Sequence, residues 1–112
     1  MKKTVLLSML FILSISFSAL AQNIKTEKFK VFGNCGMCEN RIEKAVLDLD
    51  GVSKAEWDKE TKMAEISFDE SKVKLTDIHK AIAKVGHDTE KEKSSDEVYN
   101  SLAGCCKYER KL

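Results

Sequence analysis

The first residues able to do chemistry are Cys35 and Cys38, in the run GNCGMCEN at positions 33–40. Two thiols at this spacing can converge on one soft ion, cycle between dithiol and disulfide, or rest as a short local disulfide. The glycine and asparagine before them read as a loop, and the residues from Cys38 onward as a helix. Cys38 then falls in a first helical turn, where unpaired backbone N–H groups and the positive end of the helix dipole favour thiolate over thiol. Two thiolates alone suit a low-coordinate ion such as Cu(I) and also accept Hg(II), whereas a structural zinc site needs four ligands.

The redox reading has a superficial match in Cys35-Gly36-Met37-Cys38, which looks like the Cys-Gly-Pro-Cys of thioredoxins. Such sites rely on a proline between the cysteines and a cis-proline beside them, and this chain contains no proline. A local disulfide would constrain little, because the loop it closes is so short. The spacing by itself leaves metal clasp, redox pair and inert disulfide open.

A second pair, Cys105-Cys106, lies near the C-terminus. Adjacent cysteines do not bond comfortably to each other, since the small ring strains the peptide between them. They can form a second soft-metal site, bridge two chains in a dimer, add ligands to the first site, or act as disulfide partners for Cys35 and Cys38.

The elements that must position these residues are legible from periodicity. Thr26–Phe32 alternates, with Phe29 and Val31 on one face and Lys28 and Lys30 on the other, as a half-buried strand does. After the cysteine loop, Ile42, Ala45 or Val46, and Leu49 recur at helical spacing until Asp50-Gly51 stops the helix. Val52–Trp57 and Met63–Phe68 read as a hairpin around the polar turn Asp58–Lys62, with Ala64, Ile66 and Phe68 facing inward. A second helix carries Leu75, Ile78, Ile82 and Val85 and ends at Gly86. Residues 87–93 form a weak strand, and Asp96–Leu102 a short helix. The order β-α-β-β-α-β predicts an α+β, ferredoxin-like sandwich with two helices on one face of an antiparallel sheet, followed by a short helical, cysteine-bearing tail.

Residues 1–21 read as a cleaved secretory signal: Lys2 and Lys3, an apolar run from Val5 to Phe17, and the small-x-small close Ala19-Leu20-Ala21. The run is shorter than the ~20 residues that span a bilayer, so no membrane insertion is expected after cleavage. The expected division is signal 1–21, folded domain 22–93 and extension 94–112, with a periplasmic or secreted location. The formal net charge of +1 loses two lysines with the signal, and its interspersed signs leave no footprint for nucleic acid. No paired-acid cleft, Ser-His-Asp set or phosphate-binding glycine loop is present, so no enzyme activity is expected.

Residues 26–93 resemble the heavy-metal-associated domain, the fold of copper metallochaperones and mercury-binding periplasmic proteins. The resemblance rests on the strand–Cys-x-x-Cys–helix order, on Ile42, Val46 and Asp50-Gly51-Val52, and on Ile78, Ala81-Ile82 and Val85-Gly86. It implies that Cys35 and Cys38 bind a soft metal, Cu(I) first and Hg(II) or Zn(II) as alternatives, and pass it on by ligand exchange. Envelope metal-transport or metal-acceptor proteins would be the partners, with the protein a monomer or a metal-bridged dimer. Two positions depart from the family pattern. Gly33 stands where the family usually has a methionine packed beneath the metal loop, and Met37 would fill that place only by turning inward. His87 follows the helix-ending glycine, a position that the resemblance puts near the metal loop as a third ligand, a donor to a thiolate or a pH-sensitive group. His79 is expected on the polar surface of its helix, and Trp57 at the sheet edge. Tyr99 and Tyr108 are expected to pack rather than react.

In this fold the last strand starts near the metal loop and runs away from it by about 17 Å over five residues. The eleven residues from Ser94 to Gly104 cover roughly 16 Å even as a helix. The tail is therefore long enough to return Cys105 or Cys106 to the Cys35–Cys38 loop, and that is the expectation for it.

Overall fold

The computed structural model describes residues 23–110; the expected export signal over residues 1–21 lies outside the described residues. The elements run β1 (Ile24–Lys30), α1 (Gly36–Leu47), β2 (Val52–Trp57), β3 (Met63–Asp69), α2 (Leu75–Lys84) and α3 (Asp96–Asn100), with a 3-10 turn at Gly104–Cys106. The strands form an antiparallel sheet in the order β1-β3-β2. Its register sets Phe29 opposite Ala64 and Ala55 opposite Ile66. Because side chains alternate across a strand, this register sends Phe29, Ala55, Ala64, Ile66 and Phe68 together into the core. The helices answer with Cys38, Ile42 and Val46 from α1 and Ile78 and Ile82 from α2, all of them buried. This is the ferredoxin-like architecture expected from the element order.

The fourth strand is shorter than its sequence segment. It amounts to one antiparallel bridge, Val31 to Thr89, flanked by the bonds Phe32 N to Asp88 O (2.9 Å) and Glu90 N to Lys30 O (3.2 Å). Thr89 ends it: its Oγ1 accepts from the backbone N–H groups of Lys91 (3.1 Å) and Glu92 (2.9 Å), which curls the chain away from β1.

His79 is not a surface residue. It lies beside the apolar stripe of α2 rather than opposite it, is 1% exposed, and sits with its ring 4.1 Å from that of Phe29. Its Nδ1 bonds Thr89 Oγ1 at 2.6 Å. Burial therefore holds its pKa below the usual histidine value.

The tail is built into the core. The side chain of Ser95 caps α3 by accepting from Val98 N at 3.2 Å. Leu102, Cys106 and Tyr108 are then buried against the domain. Gly86 makes room for this, since its φ is +111° and an added Cβ would stand 2.7 Å from Leu102 Cδ2. The Tyr108 hydroxyl donates to Gly86 O (2.8 Å) and accepts from Asp88 N (2.9 Å), satisfying two buried backbone groups. Arg110 closes the tail as a fork on Asp88, with both N–O distances 2.9 Å, and adds a bond to Asp96 Oδ1 at 2.8 Å.

Candidate metal centre

Cys35 is the residue from which α1 starts, in extended conformation (φ −137°, ψ 178°), and Cys38 lies one turn in. Their Sγ atoms are 3.5 Å apart. The returning tail sets Cys106 Sγ 3.5 Å and Cys105 Sγ 3.6 Å from Cys35 Sγ, and these two sulfurs are 3.9 Å from each other. A metal–sulfur bond of about 2.3 Å puts sulfurs around one ion roughly 3.8–4.0 Å apart, so the spacing fits a shared ion after a small adjustment. Cys35, Cys105 and Cys106 form a group whose ligand atoms all lie within 4.8 Å of one another. All four cysteines are free thiols.

The four sulfurs differ in exposure, and the Cys35 and Cys38 thiols differ in charge preference. Cys38 and Cys106 are buried, Cys35 is half-buried and Cys105 is exposed. The backbone N–H of Cys38 is the largest influence on Cys35; with the thiols of Cys106, Cys38 and Cys105 it outweighs partial desolvation and brings the Cys35 pKa down to about 6. Burial pushes the Cys38 thiol up to about 11, despite the Asn34 N–H that reaches its sulfur at 3.4 Å. The surroundings therefore favour the thiolate form of Cys35, and burial favours the protonated form of Cys38.

His87 is placed near the loop but not in the sulfur group. It is fully buried, and its Nδ1 donates to Phe32 O at 2.8 Å. That fixes the proton on Nδ1 and leaves the Nε2 lone pair toward Arg41 Nη1 at 3.4 Å. Burial holds its pKa below the usual histidine value. Its role in this geometry is to hold Phe32, just ahead of the cysteine loop, against the domain.

Two contacts had no clear sequence signal. Trp57, at the end of edge strand β2, is buried with its indole N–H on Val31 O at 3.0 Å. Its ring lies under Gly33, where an added Cβ would meet Trp57 Cη2 at 3.0 Å and Cys38 Cβ at 3.1 Å. The place beneath the loop is thus filled by a tryptophan from β2, and Met37 does not turn inward. It is 52% exposed, with its Sδ 3.6 Å from Cys105 Sγ.

Residues 28–88, more than half of the chain, match the family model described as the heavy-metal-associated domain. The chain belongs to that family. A "Mercuric transport protein periplasmic component" from Shewanella putrefaciens is 40% identical over 86 residues, covering 76% of this chain and 92% of the relative. A "Copper chaperone CopZ" from Staphylococcus aureus is 34% identical over 55 residues, covering 49% of this chain and 81% of the relative. Among solved structures, oxidized MerP from Ralstonia metallidurans CH34 superposes with a TM-score of 0.57 at 31% identity, covering 60% of this chain and 94% of its own. The family match ends at residue 88. Cys105, Cys106, Tyr108 and Arg110 lie beyond the matched residues.

Proposed function

We propose that this heavy-metal-associated protein is an exported carrier or sequestering protein for a soft metal, with Cu(I) as its principal cargo. Cys35 and Cys38 hold the ion, and Cys106 and Cys105 close over it from the tail. The observation that carries this reading is the placement of three other cysteine sulfurs within 3.5–3.6 Å of Cys35 Sγ. Soft thiolates select soft ions, and the relatives named for copper and for mercury support Cu(I) with Hg(II) as a competing cargo. With Cys38 drawn into the group of Cys35, Cys105 and Cys106, four thiolates would also accept Zn(II).

The exposure gradient supplies a route for ligand exchange. An incoming thiolate of an envelope donor or acceptor protein meets exposed Cys105 and half-buried Cys35 first, while buried Cys38 and Cys106 release last. The chain acts as a binder and not as an enzyme. Export rests on the signal pattern of residues 1–21 and is supported by the periplasmic relative. We assign residues 22–93 to the metal-binding domain and 94–112 to an extension that completes its site.

An anaerobic Cu(I) titration against a chromophoric chelator tests the reading. The native protein should bind tightly, Cys35→Ser should lose binding, and Cys105→Ser/Cys106→Ser should weaken it by roughly 10- to 100-fold. Unchanged affinity in the double variant overturns the role given to the tail. A thiol–disulfide oxidoreductase is the second reading, favoured by the low pKa of Cys35 beside three sulfurs. Cys35-dependent reduction of insulin disulfides, with no tight Cu(I) binding, would establish it instead.

A further inference from the structure

Five sulfurs, not four, form one chain of contacts at the mouth of the site. Cys38 touches Cys35, Cys35 touches Cys105 and Cys106, and Cys105 touches Met37. A tetrahedral ion takes four sulfurs and low-coordinate Cu(I) takes fewer, so a single ion leaves donors over. The surplus is on the outside. Cys105 is exposed, and Met37 projects from the first turn of α1 without joining the core. Cys105 Sγ lies 3.6 Å from Met37 Sδ and 3.6 Å from Cys35 Sγ, so it stands between the Cys35 sulfur and a thioether. Thioether and thiolate together are a donor set for Cu(I) and a poor one for harder ions.

We propose that Met37 Sδ and Cys105 Sγ, with Cys35 as a bridging thiolate, form a second Cu(I) subsite outside an inner ion held by Cys35, Cys38 and Cys106. This inference rests on the reading of the four-cysteine group as a copper site. Each thiol that becomes a ligand gives its proton to solvent, and no electron changes hands. The outer subsite is where an arriving ion is first held, and occupying it moves charge onto Cys35, the ligand shared with the inner position.

Native mass spectrometry of the reduced full chain, loaded anaerobically with excess Cu(I), counts ions per chain and reports oligomeric state in the same spectrum. The expected result is two ions per monomer in the native protein and one in Met37→Leu or Cys105→Ser. Met37 is 52% exposed, so Met37→Leu should fold as the native protein does. X-ray absorption at the copper edge should show a copper–copper neighbour in the native protein that Met37→Leu lacks. One ion per chain in native protein, or two in Met37→Leu, overturns the outer subsite and leaves the inner reading standing. Tight Cu(I) binding by Cys35→Ser/Cys38→Ser overturns the copper-site reading itself.

Discussion

Cys35 Sγ and Cys106 Sγ lie 3.5 Å apart although 71 positions separate them in the chain. Closing a loop of that length costs conformational entropy that rises slowly with length, and here the tail's own packing offsets it. Leu102 fills the space left by Gly86, and Tyr108 bonds the backbone on both sides of His87. Fully burying a large apolar side chain contributes roughly 1.5–3 kcal/mol. The sulfur group is thus held in place by residues that supply it no ligand.

Tyr108→Phe should therefore loosen the site without removing a ligand. It leaves Gly86 O and Asp88 N without their partner, which costs about 1–3 kcal/mol for buried groups. Urea unfolding should show a lower midpoint at nearly unchanged slope. Cu(I) affinity should fall toward that of the Cys105→Ser/Cys106→Ser variant, while Cys35 and Cys38 still bind. A variant with native copper affinity would show that the tail does not need this anchor.

The Asp88–Arg110 fork gives the fold an acid-side sensitivity. Burial alone would push the Asp88 carboxyl up, but the Arg110 guanidinium and the Ser94 N–H together hold it below the usual carboxylate range. A depressed folded value means that the stabilisation is present above the ordinary aspartate pKa and is lost as pH falls through the folded one. Arg110→Leu strands a buried charge, so at neutral pH it should destabilise toward the lower end of ~3–5 kcal/mol. Guanidinium unfolding at several pH values should find this difference shrinking in acid, where Asp88 is protonated with or without its partner. A pH-independent difference would mean that Arg110 contributes packing alone.

Much of this was legible in the sequence, and the failures have physical causes. The β-α-β-β-α-β order, Cys35 and Cys38 at a helix start, and the family resemblance all follow from local spacing. His79 was misplaced because periodicity marks the centre of a helix stripe and not its edge, where Thr89 Oγ1 and the Phe29 ring make room for an imidazole. The fourth strand was overextended because the turn made by Thr89 is a side-chain event. Chain length showed that the tail could return, but no periodicity marked Tyr108 and Arg110 as the residues that fasten it. The ring of Trp57 beneath Gly33 depends on how β2 crosses the loop, which no window of neighbouring residues contains.

The unequal thiols predict an alkylation pattern. In reduced, metal-free protein, iodoacetamide pulses read by peptide mass spectrometry should label Cys35 with a midpoint near pH 6, since its pKa is lowered to about 6 by the Cys38 N–H and the surrounding thiols. Below that pH Cys35 is protonated and slow to react. Cys38, buried and raised to about 11, should stay unlabelled until strongly alkaline conditions. An ordinary thiol midpoint for Cys35, around 8.5, would remove the helix-start field from the account of the site.

Gly33 and Trp57 should behave as one unit. Gly33→Met restores the residue that the family usually places beneath the metal loop, yet its Cβ would stand 3.0 Å from Trp57 Cη2 and 3.1 Å from Cys38 Cβ. Overpacking of this kind costs about 1–3 kcal/mol, and the emission of Trp57, the single tryptophan of the chain, should shift as its ring is displaced. Trp57→Leu should also destabilise, because it empties the space under the loop and removes the bond to Val31 O. Gly33→Met/Trp57→Leu should recover part of both losses, since the methionine then fills what the indole vacated. A coupling of about 0.5–3 kcal/mol between the two sites in urea unfolding is the expected result. Additive losses would mean that the tryptophan does not stand in for the missing methionine.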